Sequence, residues 1–280
     1  MLKDYIVLIR LPNSIMSGLG VVFTIIAFKK YVLEAPGDYW LLVTGFFTGF
    51  LATAASMIYN DVVDAPVDMV NKPWRPIPSG RVTPRRALIL SAAMALLAVA
   101  INAPRPVLAA VTALYTALGI GYSRTRGRWW SQLLVATSTT GPVVYGSLCA
   151  ESVHSPRFAT MFAITIFVVT LGREVLKAIQ DIEGDKRYGY ETIPIRFGVE
   201  NAYKTLVVAG VTGPILGLLA GLMPGPGAWY LALIAIAGAL YGYSALEAYF
   251  SRTREVLEKS RKRMLAGMMI GLLALWLSGL

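Results

Sequence analysis

The chain has 280 residues, 56% hydrophobic and 15% charged, with a mean hydropathy of +0.59, which excludes an ordinary water-soluble globule and points to a polytopic membrane protein. A single cysteine, Cys149, excludes an intramolecular disulfide framework, and a single histidine, His154, expected at the surface of a short polar turn, leaves no Cys/His set for zinc. The net charge of +10 lacks the aromatic–basic interleaving of a nucleic-acid module, so no nucleic-acid partner is expected, and the basic loops fit insertion topology and anionic lipid head groups.

From the N-terminus, Leu2 to Arg10 carries Lys3, Asp4 and Arg10 and lacks the form of a cleavable signal. A bilayer-spanning helix needs about 20 apolar residues, fewer where neighbouring helices tolerate a short span. On that template nine spans are expected, at roughly 11–28, 39–59, 84–101, 106–122, 132–149, 157–179, 200–221, 228–249 and 264–279. Pro104 with Pro106, Pro156 and the Pro224-Gly225-Pro226-Gly227 turn punctuate them. Trp129-Trp130, after Arg124, Arg126 and Arg128, reads as an interfacial anchor. The stretch Ser251 to Arg263 reads as a solvated connector with a short surface helix, because Glu255–Lys259 and Glu258–Lys262 are spaced i, i+4.

Charge sets the expected orientation. With the N-terminus and the loops after spans two, four, six and eight on one side, that side collects all of the 26 Lys and Arg except Lys29, Lys30, Arg105 and Arg157. By the positive-inside rule it is cytoplasmic. The fold class expected is therefore an all-α membrane protein, one polytopic domain over 1–280. Its nine transmembrane helices surround a central cavity open toward the cytoplasmic side, with the N-terminus in and the C-terminus out.

Two acidic stretches stand at cytoplasmic span ends. After span two, Asn60, Asp64 and Asp68 fall at i, i+4 and i+8, and Asp61 at i, i+3 and i+7 with Asp64 and Asp68, so all four can share one helix face. Clustered acids raise one another's pKa unless cations compensate, and a hard, oxygen-seeking cation such as Mg²⁺ commonly sits between carboxylates and a substrate phosphate. The plainer reading is a solvated acidic helix end. After span six, Asp181 and Asp185 again lie four apart, with Glu174 deeper on the same face and Arg173 and Lys177 paired at i, i+4. Charge inside a span is costly and normally faces a polar cavity with partners. Together the two ends suggest carboxylate sets facing each other across one cavity, each holding Mg²⁺ against one diphosphate.

Asn60-Asp61-x-x-Asp64-x-x-x-Asp68 followed by Arg75-Pro-Ile-x-Ser-Gly, with Asp181-x-x-x-Asp185 after span six, resembles the UbiA superfamily of intramembrane prenyltransferases. Smaller echoes are Arg10-Leu-Pro-Asn13 opening span one and Tyr122-Ser123 closing span four. The second motif, from Gly172-Arg173-Glu174 to Asp185, looks most like the archaeal lipid branch. Enzymes of that branch attach a second geranylgeranyl chain to geranylgeranylglyceryl phosphate, giving digeranylgeranylglyceryl phosphate, an ether lipid precursor. The basic loop after Tyr122 departs from the family's pattern, and Arg126 is the phosphate-binding candidate there.

The resemblance implies a site. Two Mg²⁺ ions are held by Asn60, Asp64 and Asp68 on one side and by Asp181 and Asp185 on the other, while Asp61 ligates directly or orients the first set. Asp61, Asp64, Asp68, Asp181 and Asp185 form the catalytic set. Lys72, Arg75, Arg173, Lys177 and Lys186 are candidate phosphate clamps, and Arg10, Asn13, Tyr122 and Arg126 complete the substrate-binding set. The partners implied are an isoprenyl diphosphate donor, a lipid-phosphate acceptor and membrane lipids, at the cytoplasmic side of the cell membrane. The acceptor hydroxyl attacks C1 of the prenyl group, and an aspartate or the departing diphosphate takes the proton.

The apolar path for the prenyl tail is expected along Phe46, Phe47, Phe50 and Met57, while Gly45, Gly49, Ala52, Thr53 and Ser56 allow close helix approach. The alternative within the family is an aromatic acceptor of the 4-hydroxybenzoate or naphthoate type, in quinone biosynthesis. A transporter is disfavoured, because the acids cluster at helix ends and not at the bilayer midplane.

Overall fold

A computed structural model describes residues 2–28, 36–149, 156–224 and 226–278. Lys29, Lys30 and His154 lie outside the described residues. Among those described, all named elements are helices. The chain opens with α1 (Leu2–Ile9) and, after a break at Arg10 where φ is 49°, continues as α2 (Leu11–Phe28). Next come α3 (Pro36–Val63), α4 (Ala65–Asn71), α5 (Pro84–Ala100) and α6 (Pro106–Thr125). They are followed by α7 (Ser131–Ser138), α8 (Gly141–Leu148), α9 (Pro156–Gln180), α10 (Ile182–Arg187) and α11 (Ile193–Arg196). The chain ends in α12 (Val199–Gly221), α13 (Ala228–Ser251) and α14 (Arg254–Leu277).

Among the described residues, six helices are long and apolar enough to cross a membrane: Leu11–Phe28, Tyr39–Val63, Pro106–Thr125, Pro156–Gln180, Val199–Gly221 and Ala228–Ser251. The other three expected segments are helical but fall short, each for its own reason. Helix α5 has only 17 residues. The expected fifth span is broken at Thr139–Thr140 into α7 and α8, with Pro142 in the first turn of α8, where a missing N–H costs nothing. Helix α14 begins ten residues earlier than the expected ninth span and absorbs the stretch read as a separate connector. Its first turns therefore carry Arg254, Glu255, Glu258, Lys259, Arg261, Lys262 and Arg263. The two i, i+4 pairs do form, Glu255–Lys259 at 2.7 Å and Glu258–Lys262 at 3.5 Å.

Helices α2, α3, α5 and α6 pack as one group, and α9, α12, α13 and α14 as another. Contacts of α7 with α6 and α9, and of α14 with α2, join the groups into a ring. Close approach is built from small residues: a Cβ on Gly49 of α3 would stand 2.7 Å from the Ser17 carbonyl oxygen of α2. One apolar core joins Phe28, Phe158, Phe162, Tyr230, Ile234 and Leu275 across both groups, and the Tyr230 hydroxyl donates to the Gly217 carbonyl at 3.0 Å. The interior between α2, α3, α6, α7 and α8 holds a cavity of about 420 Å³. Gly49, Ala52, Thr53, Ser56 and Met57 line it, so the small residues of α3 shape a chamber as well as a helix contact. Of the expected prenyl path, Met57 lines this cavity and the phenylalanines do not: Phe46 packs over Gly18 and against Phe50, and Phe47 is 48% exposed.

Candidate active site

Helical hydrogen bonding runs on from α3 into α4. The N–H groups of Asp64, Asp68 and Lys72 donate to the carbonyls of Asn60, Asp64 and Asp68, each at 2.8 Å. The first acidic stretch therefore keeps helical spacing throughout, but its side chains divide into two pairs. Asn60 Nδ2 donates to Asp64 Oδ2 at 2.7 Å, and Arg126 Nη1 donates to the same oxygen at 2.6 Å. Ser123 donates to Asn60 Oδ1 at 3.3 Å. Asp61 and Asp68, seven apart, are both buried and both take Arg75, and Asp61 also accepts from Arg10 Nη2 at 2.6 Å. Lys72 Nζ stands 4.0 Å from Asp68. Arg10 and Arg75, expected as substrate contacts, are thus neutralised by Asp61 and Asp68, and the four-residue face resolves into one pair toward Arg126 and one ion-paired set.

The second stretch turns at the end of α9. The Asp181 N–H donates to the Lys177 carbonyl at 3.0 Å, and that of Asp185 to the Asp181 carbonyl at 2.9 Å, which brings both carboxylates to the start of α10. The buried Glu174 is approached by Arg173 at 3.1 Å and Lys177 at 3.9 Å, so these cations share an acid within α9. Asp185 accepts from Thr192 Oγ1 at 3.4 Å. Burial, then the charge of Asp181, pushes the Asp185 carboxyl above the usual carboxylate range, although Arg126, Thr192 and Lys177 oppose the shift. Burial pulls the Arg126 guanidinium down, but the charge and hydrogen bond of Asp64 together with Tyr122 and Tyr190 outweigh it, and the net shift is upward. Lys186 is exposed on α10.

The loops after α6 and α10 are stitched together. The Glu191 N–H donates to the Gly127 carbonyl at 2.6 Å, and Arg128 and Glu191 form a single parallel bridge. Trp129, expected as an interfacial anchor, meets Phe197 edge-to-face at 5.4 Å and so holds these loops to the segment before α12. A polar mouth of about 520 Å³ opens between them, lined by Asp64, Arg126, Arg128 and Tyr190 among others. Asn13 and Tyr122 line the central cavity, and Tyr122 also lines a narrow cleft with Arg126, Lys177, Asp181 and Asp185. Tyr122 is therefore where the apolar chamber meets the charged site.

Among the described residues, no three acidic, histidine or cysteine side chains already converge on one point. The acids form two sets, Asp64 with Asn60 and Asp181 with Asp185, and the Arg126 charge acts on both Asp64 and Asp185. These donors are all oxygens, and the raised Asp185 carboxyl marks negative charge that a hard cation would relieve. Ser123, noted with Tyr122 in the sequence, reaches Asn60, and residues not singled out there also shape the site, namely Gln132, Tyr190 and Thr192. Gln132 carried a usable signal, since an amide at the start of an apolar run normally faces a polar partner.

The chain matches the UbiA prenyltransferase family over residues 21–277. It is 31% identical to a digeranylgeranylglyceryl phosphate synthase of Methanosphaera stadtmanae over 275 residues, 96% of each chain. It is 32% identical to the enzyme of that name from Saccharolobus solfataricus over 206 residues, 72% of each. Among solved structures, a digeranylgeranylglyceryl phosphate synthase superposes with a TM-score of 0.83 at 24% identity, covering 99% of this chain and 98% of that one. A UbiA homologue from Archaeoglobus fulgidus, bound to GPP and Mg²⁺, superposes with a TM-score of 0.74 at 18% identity, covering 97% and 99%. These structural likenesses establish the fold, and the match along nearly the whole sequence establishes the lineage: the chain belongs to the UbiA prenyltransferase family and is a prenyltransferase.

Proposed function

We propose that this prenyltransferase moves a geranylgeranyl group from geranylgeranyl diphosphate to the hydroxyl of geranylgeranylglyceryl phosphate, releasing diphosphate and forming the ether of digeranylgeranylglyceryl phosphate. The observation that carries the reading is the meeting of two carboxylate sets around Arg126 at the charged end of an apolar chamber. Relatives of the same name at 31% and 32% identity support the choice of acceptor. The positive-inside distribution supports nine crossings with the N-terminus inside, and hence a site on the cytoplasmic side of one polytopic domain.

Mg²⁺, two ions in this reading, would be held by Asn60 and Asp64 on one side and Asp181 and Asp185 on the other. When bound it supplies Lewis-acid stabilisation of the leaving diphosphate. Asp68, the remaining ligand candidate, together with Asp61 fixes Arg75 and Arg10 at the rim. Arg126 and Lys177 take phosphate oxygens as charge develops on the leaving group, with Lys72, Arg173 and Lys186 as outer contributors. Tyr122 marks the boundary where C1 of the prenyl group passes from polar cleft to apolar chamber. The C1–O bond breaks with its electron pair on the diphosphate, and the acceptor oxygen bonds to C1 as its proton passes to a diphosphate oxygen.

The test uses purified protein in detergent with Mg²⁺ and geranylgeranyl diphosphate, offering geranylgeranylglyceryl phosphate and 4-hydroxybenzoate in competition. A phosphate-retaining ether product, lost with EDTA and in Asp64→Ala and Asp181→Ala, is expected. Prenylated benzoate would move the protein to quinone assembly. Failure to release diphosphate with any acceptor would sink the metal-diphosphate site.

A further inference from the structure

Gln132, the second residue of α7, is only 5% exposed and lines the narrow cleft together with Tyr122, Arg126, Lys177, Asp181 and Asp185. Its orientation is fixed by chemistry. Nε2 donates to the Glu174 main-chain carbonyl at 3.3 Å, and only the nitrogen end of the amide can do so, which places Oε1 at the other end. That oxygen is buried and accepts no hydrogen bond from the described residues. A buried acceptor without a donor costs free energy, so a partner from outside the chain is called for. The cleft measures about 30 Å³, room for about one hydroxyl or water.

Charge decides which molecule supplies the donor. A diphosphate presents acceptor oxygens, which an amide oxygen repels, and the neighbouring carboxylates of Asp181 and Asp185 are acceptors too. A prenyl acceptor bearing a hydroxyl brings an O–H. We infer that Gln132 Oε1 accepts the hydrogen bond of the acceptor's hydroxyl and thereby aims the oxygen lone pair at C1 of the prenyl donor.

This inference rests on the transfer reading above. In the step, the acceptor oxygen forms the new bond to C1, and the C1–O bond to diphosphate breaks with its electrons on the leaving group. The hydroxyl proton passes to a diphosphate oxygen. The amide is too weak a base to keep it, so Gln132 binds and orients without changing its protonation.

The experiment compares wild type with Gln132→Met, of similar length but apolar, and Gln132→Asn, which withdraws the amide by one methylene. Steady-state kinetics are measured with Mg²⁺, geranylgeranyl diphosphate and geranylgeranylglyceryl phosphate. In parallel, inhibition is measured for an acceptor analogue with hydrogen in place of the reacting hydroxyl. The expected result is a fall in kcat/KM for the acceptor of about tenfold or more, the scale of one hydrogen bond, with the KM for the donor unmoved. The preference of the wild type for the alcohol over its deoxy analogue should disappear in both variants. A rise in donor KM that matches the acceptor loss, or a retained preference for the alcohol, would overturn the assignment and leave Gln132 as a brace for α9. Should the wild type release no diphosphate with any acceptor, the transfer reading itself fails before the variants are compared.

Discussion

Arg126 and Asp64, 62 residues apart in sequence, meet at 2.6 Å where α6 and α3 end side by side in one group of helices. The guanidinium also acts on Asp185, so one cation couples the acidic end of α3 to that of α9. Its planar fork suits phosphate oxygens better than a point charge does. Arg126→Ala should lower kcat/KM for the diphosphate donor by about 100-fold, or ~2.7 kcal/mol of transition-state stabilisation, and Arg126→Lys should recover only part of it. Steady-state kinetics with varied donor measure this, and an Arg126→Lys enzyme of wild-type efficiency would remove the phosphate-fork role.

Asp61 has a different task, although its neighbour sits in the adjoining pair. Its carboxylate, 5% exposed, holds Arg10 of the α1–α2 junction and Arg75 of the loop after α4. Asp61 is buried, but Arg10 and Arg75 are 30% and 23% exposed and Arg75 keeps Asp68, so losing Asp61 costs less than the roughly 3–5 kcal/mol of a fully buried pair. Asp61→Ala should still lower the thermal midpoint of the detergent-solubilised protein by several degrees. Asp64→Ala should abolish transfer with a smaller drop in midpoint than Asp61→Ala, because it leaves one arginine, Arg126, that is 36% exposed. If both variants melted like wild type and both lost activity, the division of the acidic stretch into two pairs would have no energetic meaning.

Asp185 gives a pH signature. Burial and the Asp181 charge raise its carboxyl pKa in the folded protein. A carboxyl raised on folding contributes stability below its unfolded-state pKa, and this is lost as pH rises through the folded value. Near neutral pH and without divalent ions, the ionised side chain is then a net cost. Asp185→Asn should raise the melting temperature in EDTA at about pH 7, an advantage that fades on acidification through the carboxylate range. Added Mg²⁺ should reverse the order, because only the wild type gains the full ligand set. Thermal melts across pH, with and without Mg²⁺, decide it.

The helical spacing of Asn60, Asp64, Asp68, Asp181 and Asp185 made the two acidic ends legible in sequence, because an α-helix fixes which residues stack. The division of the first end was not, since it depends on Arg75, seven residues beyond Asp68, and on Arg10 from another helix. Long spans were readable as apolar runs. The break at Thr139–Thr140 was hidden because α7 and α8 together keep the composition of one span. Likewise the last helix begins at Arg254 because Thr253 caps it through the Val256 N–H, at 3.4 Å, and Arg252 turns the chain at a φ of 51°. A charge run alone does not distinguish a connector from the first turns of a helix. The Gln132 amide required the position of the Glu174 carbonyl, 42 residues away.

Gly127 tests whether the stitched loops hold the site. A Cβ at this position would stand 2.7 Å from the Tyr190 ring, while the Gly127 carbonyl accepts the Glu191 N–H at 2.6 Å. The extra methyl therefore has to displace either the ring or the backbone bridge. Overpacking of this kind typically costs about 1–3 kcal/mol. Tyr190 donates its N–H to the Asp185 carbonyl at 2.9 Å, so a shift of the loop is passed to the second acidic set. Gly127→Ala should weaken Mg²⁺ dependence, seen as a higher metal concentration for half-maximal activity, along with a lower melting temperature. Pairing it with Tyr190→Ala, which clears space for the methyl, should recover part of the metal affinity. Equal metal dependence in wild type and Gly127→Ala would mean that the bridge braces the loops without positioning Asp185.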